Sequence, residues 1–127
     1  MIKDFLIISF TGDNDSIGLR VNNNFFIKKF QTNIKNNKLV VKNIFDFIKK
    51  KNGKINKNFS VIINIGPGSF SGIRISLSIA KGMKLATGVK IFGYKSSNLP
   101  NFDLENIELL INKNLIENNL IKPVYLS

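Results

Sequence analysis

The residues best suited to chemistry stand in one stretch, Gly66-Pro67-Gly68-Ser69-Phe70-Ser71-Gly72-Ile73-Arg74. It follows the apolar run Ile62-Ile63-Asn64-Ile65 and opens a segment with no further breaker until Gly82. A buried strand, a tight glycine turn and a helix in that order leave unpaired N–H groups and partial positive charge at the helix start. An anion or a partner's carboxylate can sit there. The phosphate-loop pattern is not met, because no Lys follows Gly72. The dinucleotide pattern Gly-x-Gly-x-x-Gly fails too, because three residues separate Gly68 from Gly72. By spacing alone, the stretch fits equally well a plain turn in which glycines supply positive φ and close packing.

The rest of the chain offers little catalytic chemistry. It contains no Cys and no His, so the commonest general base, the commonest metal ligand and thiolate catalysis are all missing. Ser69 and Ser71 stand at a helix start with no imidazole to activate them. Arg74 can pair with a partner's carboxylate or simply cover the helix end. Asp13-Asn14-Asp15 reads as a solvated hairpin turn before it reads as a metal site, and Asp103, Glu105 and Glu108 suit the first turn of a last helix over about 104–118. No metal and no cofactor is expected.

At 127 residues, 43% of them hydrophobic, the chain is long enough for one core and not for two full lobes. No apolar run approaches the roughly 20 residues of a membrane span. Met1-Ile2-Lys3-Asp4-Phe5 does not read as a signal peptide. The net charge of +11 is uneven, +13 over residues 1–100 and −2 beyond. Such a body attracts nucleic acid or an acidic protein surface. Abundant Lys, Asn and Ile also fit an AT-rich coding bias with no ligand behind it, and only Arg20 and Arg74 are arginines.

The elements that must position the glycine stretch follow from periodicity. Phe5–Phe10 predicts a buried strand. Ser16–Val21 alternates as a half-buried one, Asn22-Asn23-Asn24 marks a turn, and Phe25–Phe30 returns, giving an antiparallel meander. Residues 38 to about 51 have helical spacing and end at Asn52-Gly53. Phe59–Ile65 predicts a fourth strand, Gly72 to about Ala86 a second helix closed at Thr87-Gly88, and Val89–Gly93 a fifth strand reached by a parallel crossover. The order is β-β-β-α-β-α-β, a mixed α/β sheet with a short C-terminal helical segment. Both main helices are apolar over more than one stripe. In the second, Ile73, Leu77 and Ala80 lie on one side, with Ile75, Ile79, Met83 and Ala86 on another, so part of their surface is expected to meet something beyond the sheet, either another helix or the chain's own C-terminal segment.

Taken as one string, Gly66 to Arg74 continuing to Ala80-Lys81-Gly82 resembles the signature of the bacterial TsaB family (the YeaZ type), with Ser71 where that family usually carries Thr. Tyr94-Lys95-Ser96-Ser97 is similar to the segment after the family's fifth strand. Lys122-Pro123-Val124-Tyr125-Leu126-Ser127 resembles its C-terminal Pro-x-Tyr-x-Arg element, with Ser127 in place of Arg. The resemblance implies a single actin-like (ribonuclease H-like, ASKHA) lobe over residues 1–97, with 98–127 a short remnant where the family carries a larger second lobe.

The same resemblance implies a non-catalytic, cytoplasmic subunit that binds TsaD and supports N6-threonylcarbamoyladenosine (t6A) modification of tRNA. TsaE and tRNA belong to the larger complex, and a homodimer is implied when TsaD is absent. The loop motif is then Gly66, Pro67, Gly68, Ser69, Phe70, Ser71, Gly72 and Arg74, and the partner interface Val40, Ile44, Phe47, Ile73, Leu77 and Ala80. Two departures speak against ATP hydrolysis: Ile8-Ser9-Phe10-Thr11 has no Asp at the end of the first strand, and Lys38 stands where the family often has His. Two alternatives stay open. One is a basic tRNA-binding module using Lys28, Lys29, Lys49, Lys50, Lys51 and Lys54; the other is a residual nucleotide-binding domain built on the 66–72 loop.

Overall fold

Leu6, Ile7 and Ile8, the centre of β1 (Asp4–Ser9), are fully buried. Continuous burial of successive residues requires a strand covered on both faces, and helices packed on the two sides of the sheet supply this. The computed structural model describes residues 2–12, 14–30, 37–118 and 125–126. β2 (Ser16–Val21) and β3 (Asn24–Lys29) complete the antiparallel meander, turning at Asn22 and Asn23, both with positive φ. Asn tolerates that conformation better than other residues with a β-carbon.

Helix α1 (Asn37–Lys50) buries Val40, Ile44 and Ile48, one residue per turn. It closes where Asn52 takes a φ of 61° and the Gly53 N–H bonds to the Ile48 carbonyl at 2.9 Å. β4 (Phe59–Asn64) then enters parallel to β1. A two-residue strand β5 (Gly68–Ser69) leads directly into α2 (Phe70–Thr87), which ends at Gly88 with a φ of 75°. β6 (Lys90–Tyr94) pairs parallel to β4, so the main sheet has the order β3-β2-β1-β4-β6.

A 3-10 turn, Ser96–Asn98, precedes α3 (Leu104–Asn112). Asp103 caps α3 by accepting from the Asn106 N–H at 2.9 Å. The sequence expectation carried this helix to 118; it stops at Asn112, and Glu117 instead bridges to Gly93 beside the β6 edge. β7 (Tyr125–Leu126) pairs parallel with β5, a two-stranded sheet that periodicity did not foretell because two residues carry no period.

The two faces of the sheet have separate cores. Leu6, Ile8, Val61 and Ile63 meet α1 and α2 through Val40, Ile44, Ile48, Ile75, Ile79, Ala80 and Met83. Phe5, Ile7, Ile62 and Tyr94 meet Ile107 and Leu110 of α3 on the other face. At roughly 1.5–3 kcal/mol for each fully buried large apolar side chain, these two layers dominate the stability of the fold. The wide apolar arcs of α1 and α2 are explained largely within the chain, since the two helices share one sheet face.

Candidate functional site

The glycine stretch is built by close packing. The Ser69 N–H bonds to the Thr11 carbonyl at 2.8 Å, drawing the loop against the end of β1. A β-carbon on Gly68 would stand 2.6 Å from the Thr11 side chain, and one on Gly72 would collide with the Phe10 carbonyl. Ser69 is the N-cap of α2, its Oγ accepting from the Gly72 N–H at 3.2 Å. The helix therefore starts at Phe70, two residues before the position expected from Gly72. The capping serine was the overlooked signal.

Behind the loop lies a polar network at the C-terminal ends of β1, β4 and β6. Asn64 is buried, and its Oδ1 accepts from the Gly66 N–H and from Ser96 Oγ, each at 2.9 Å. Its Nδ2 donates to Ser9 Oγ at 3.2 Å. Ser96 Oγ also reaches the Pro67 carbonyl at 3.2 Å, and the Ser96 N–H reaches the Gly66 carbonyl at 2.9 Å. The Gly66–Pro67 peptide bond is cis, and Gly66 has a φ of 104°. One amide side chain thus ties three strands' ends to the loop. Ser9 takes part as a hydrogen-bond acceptor, with hydroxyls and amides around it instead of a carboxylate.

Tyr94 is buried beside this network. Burial pushes its phenol above the ordinary value; Ser9 and Asn64 lie close enough to offset part of that. Neither meets hydrogen-bond geometry with the hydroxyl, which has no partner among the described residues. Sequence reasoning missed Asn64 and Tyr94. The signal for Asn64 was a polar residue interrupting an otherwise apolar strand.

The loop residues divide by exposure. Gly66, Gly68 and Gly72 are buried, Ser69 is half-buried, and Pro67, Phe70, Ser71 and Arg74 are exposed. The Arg74 guanidinium lies 5.6 Å from the centre of the Phe70 ring. Asp15 is buried and accepts from the Gly12 N–H at 2.8 Å, so it closes its own turn; Asp13 lies outside the described residues. The tail positions Lys122, Pro123, Val124 and Ser127 also lie outside them.

The expected partner face needs correction. Val40, Ile44, Ile73 and Ala80 are between 0 and 2% exposed, the first two and Ala80 packed in the core on the sheet; a partner cannot touch them. Phe47 and Leu77 are half-buried, and Ala86, expected on an apolar stripe, is exposed. What α1 and α2 present outward is a groove of about 250 Å³ lined by Val41, Phe45, Ile75, Ser78, Ile79, Gly82 and Met83. Exposed Phe45 lies in it, and Leu39 and Leu85 are exposed on the same two helices, Leu85 at 90%. Ser78 and Gly82 keep the α2 wall thin. No described helix is long and apolar enough to cross a membrane.

No family model matches the chain, and no curated protein matches it. Solved structures do. YeaZ from Pseudomonas aeruginosa superposes with a TM-score of 0.65 at 13% identity, over 76% of this chain and 45% of that one. A second structure, described as an uncharacterized protein with similarity to peptidase YEAZ from Pseudomonas aeruginosa, gives the same score and identity, over 76% and 44%. The chain spans less than half the length of these structures. It has a TsaB-like fold, a single actin-like lobe with a mixed five-stranded sheet.

Proposed function

We propose that this chain is a non-catalytic accessory subunit that docks through the α1–α2 groove onto a TsaD-type partner and supports t6A modification of tRNA in the cytoplasm. The observation that carries the reading is the groove itself. An apolar channel with a small-residue wall, lined by exposed Phe45, is suited to receive a partner helix. The TsaB-like fold adds to it.

A hydrolytic role is disfavoured by the chemistry available. Ser69 Oγ is committed to capping α2, and the chain has no imidazole or thiol to generate a nucleophile. The reading is tested by native mass spectrometry of the chain mixed with TsaD from the same organism. A one-to-one complex that Gly82→Arg abolishes upholds it. Free subunits alone, or a complex indifferent to Gly82→Arg, overturn it. A homodimer lost on the same substitution would assign the groove to a second copy.

A further inference from the structure

Alternation along β3 separates its two lysines. Phe26, Lys28 and Phe30 lie on the face shared with α1, and Phe25 and Lys29 on the other. Lys28 Nζ sits 5.4 Å from the Phe30 ring centre and 5.8 Å from that of Phe47, and Lys51 Nζ 4.5 Å from that of Phe26. The ammonium heads thus stand over half-buried rings in cation–π geometry, Lys28 exposed and Lys51 half-buried.

Two adjoining recesses flank the C-terminal half of α1. One, of about 400 Å³, is lined by Lys28, Lys50 and Lys51; the other, of about 510 Å³, by Lys49 and Lys54. Asp46 is the single acid, at their shared border. A helix C-terminus carries about half a negative charge, too little with one carboxylate to neutralise five ammonium groups. None of the five lysines forms an ion pair with a described residue. Acids gather elsewhere: Asp103, Glu105 and Glu108 are exposed on or beside α3, which covers the opposite face of the sheet.

We propose that this lysine face, formed by the C-terminal half of α1 and the end of β3, binds the phosphodiester backbone of a nucleic acid without reading its sequence. Ammonium groups neutralise phosphates as point charges, and the chain offers here no arginine for bidentate base recognition; the rings lining the recesses are half-buried Phe47 and Phe45, which is 39% exposed. Asn43, Phe47 and Lys50 line the smaller recess, which shares no residue with the apolar groove, while Phe45 is common to the groove and the larger recess. The inference does not depend on the docking reading above.

The test is fluorescence anisotropy of the full chain with a short RNA duplex, a DNA duplex of the same length, and phosphatidylserine vesicles across a salt series. Engagement of five phosphates predicts a slope of log K against log salt of about −4.5 on duplex DNA. Replacing Lys49, Lys50 and Lys54 together by Glu should at least halve that slope and weaken binding more than tenfold. The control, K3E/K90E/K95E, makes the same change in net charge away from this face and should retain most of the affinity. Circular dichroism establishes that both variants are folded; K49Q/K50Q/K54Q replaces the first if it is not. Preference for RNA or for DNA identifies the natural backbone, and either upholds the inference. Equal losses in the two variants, stronger binding to vesicles than to either duplex, or no binding at low salt overturns it.

Discussion

Gly72 lies flat against the carbonyl of Phe10, so close that a β-carbon on residue 72 would fall on that oxygen. The start of α2 and the end of β1 are thereby locked together at backbone distance. Neither backbone atoms nor helix register can yield as a flexible side chain would. Gly72→Ala should destabilise the protein by about 2–4 kcal/mol, measured by urea unfolding. The opposite sign is expected at Gly82, which is exposed in the same helix with nothing within 4 Å of a β-carbon. Gly82→Ala should stabilise by about 0.5–1 kcal/mol through helix propensity. A Gly72→Ala protein as stable as the parent would show that the loop can open.

Partner docking separates buried from groove positions. Gly82→Arg places a long cation in the α1–α2 groove and should abolish the complex while leaving circular dichroism unchanged. Ala80→Arg drives the same side chain into the core, where Ala80 is fully buried, and should unfold the chain or cost it several kcal/mol. Folded Ala80→Arg protein with normal thermal unfolding would contradict this placement.

Asn64 should matter more than its neighbours in the polar network. Asn64→Ala leaves the buried Gly66 N–H without its acceptor and the Ser96 hydroxyl with only its longer contact to the Pro67 carbonyl, at a cost of about 2–3 kcal/mol. Ser96→Ala removes a donor that is itself only half-buried and should cost about 1 kcal/mol. Equal effects in chemical denaturation would mean the loop is held by its backbone bonds instead.

Tyr94 makes a prediction with pH. Its phenol is raised above the ordinary value of about 10, so the unfolded chain releases this proton first as pH rises. Folding stability contributed by the neutral phenol is therefore intact below pH about 10 and declines above it. Tyr94→Phe removes both the titration and an unpartnered buried hydroxyl. At neutral pH it should be neutral to about 1 kcal/mol stabilising, and the gap between variant and parent should widen above pH about 10. A gap constant with pH would place the phenol in contact with solvent.

Much of this architecture was legible residue by residue. Continuous apolar runs at β1 and β4, the Asn-rich turn at 22–23 and the four-residue spacing of Val40, Ile44 and Ile48 are local signals, because strand and helix periods are properties of the backbone itself. The Gly-Pro-Gly stretch announced a strand-to-helix turn for the same reason. Local order also sufficed for the antiparallel meander and the parallel crossover that follow in the chain.

Which apolar residues face outward was decided only in three dimensions. Ile44 and Ile79 are as apolar as Phe45 and Leu85, yet the former are buried and the latter exposed, because α1 and α2 share one sheet face and shield each other's flanks. The role of Asn64 required Ser9 and Ser96, 55 and 32 residues away in sequence, to meet it at the strand ends. The pairing of Gly68–Ser69 with Tyr125–Leu126 likewise joins distant segments through two residues apiece. Sequence carries periods and turns because they arise between neighbours; burial, hydrogen-bond partnership and the clustering of lysines on one face arise between segments that only the packed chain brings together.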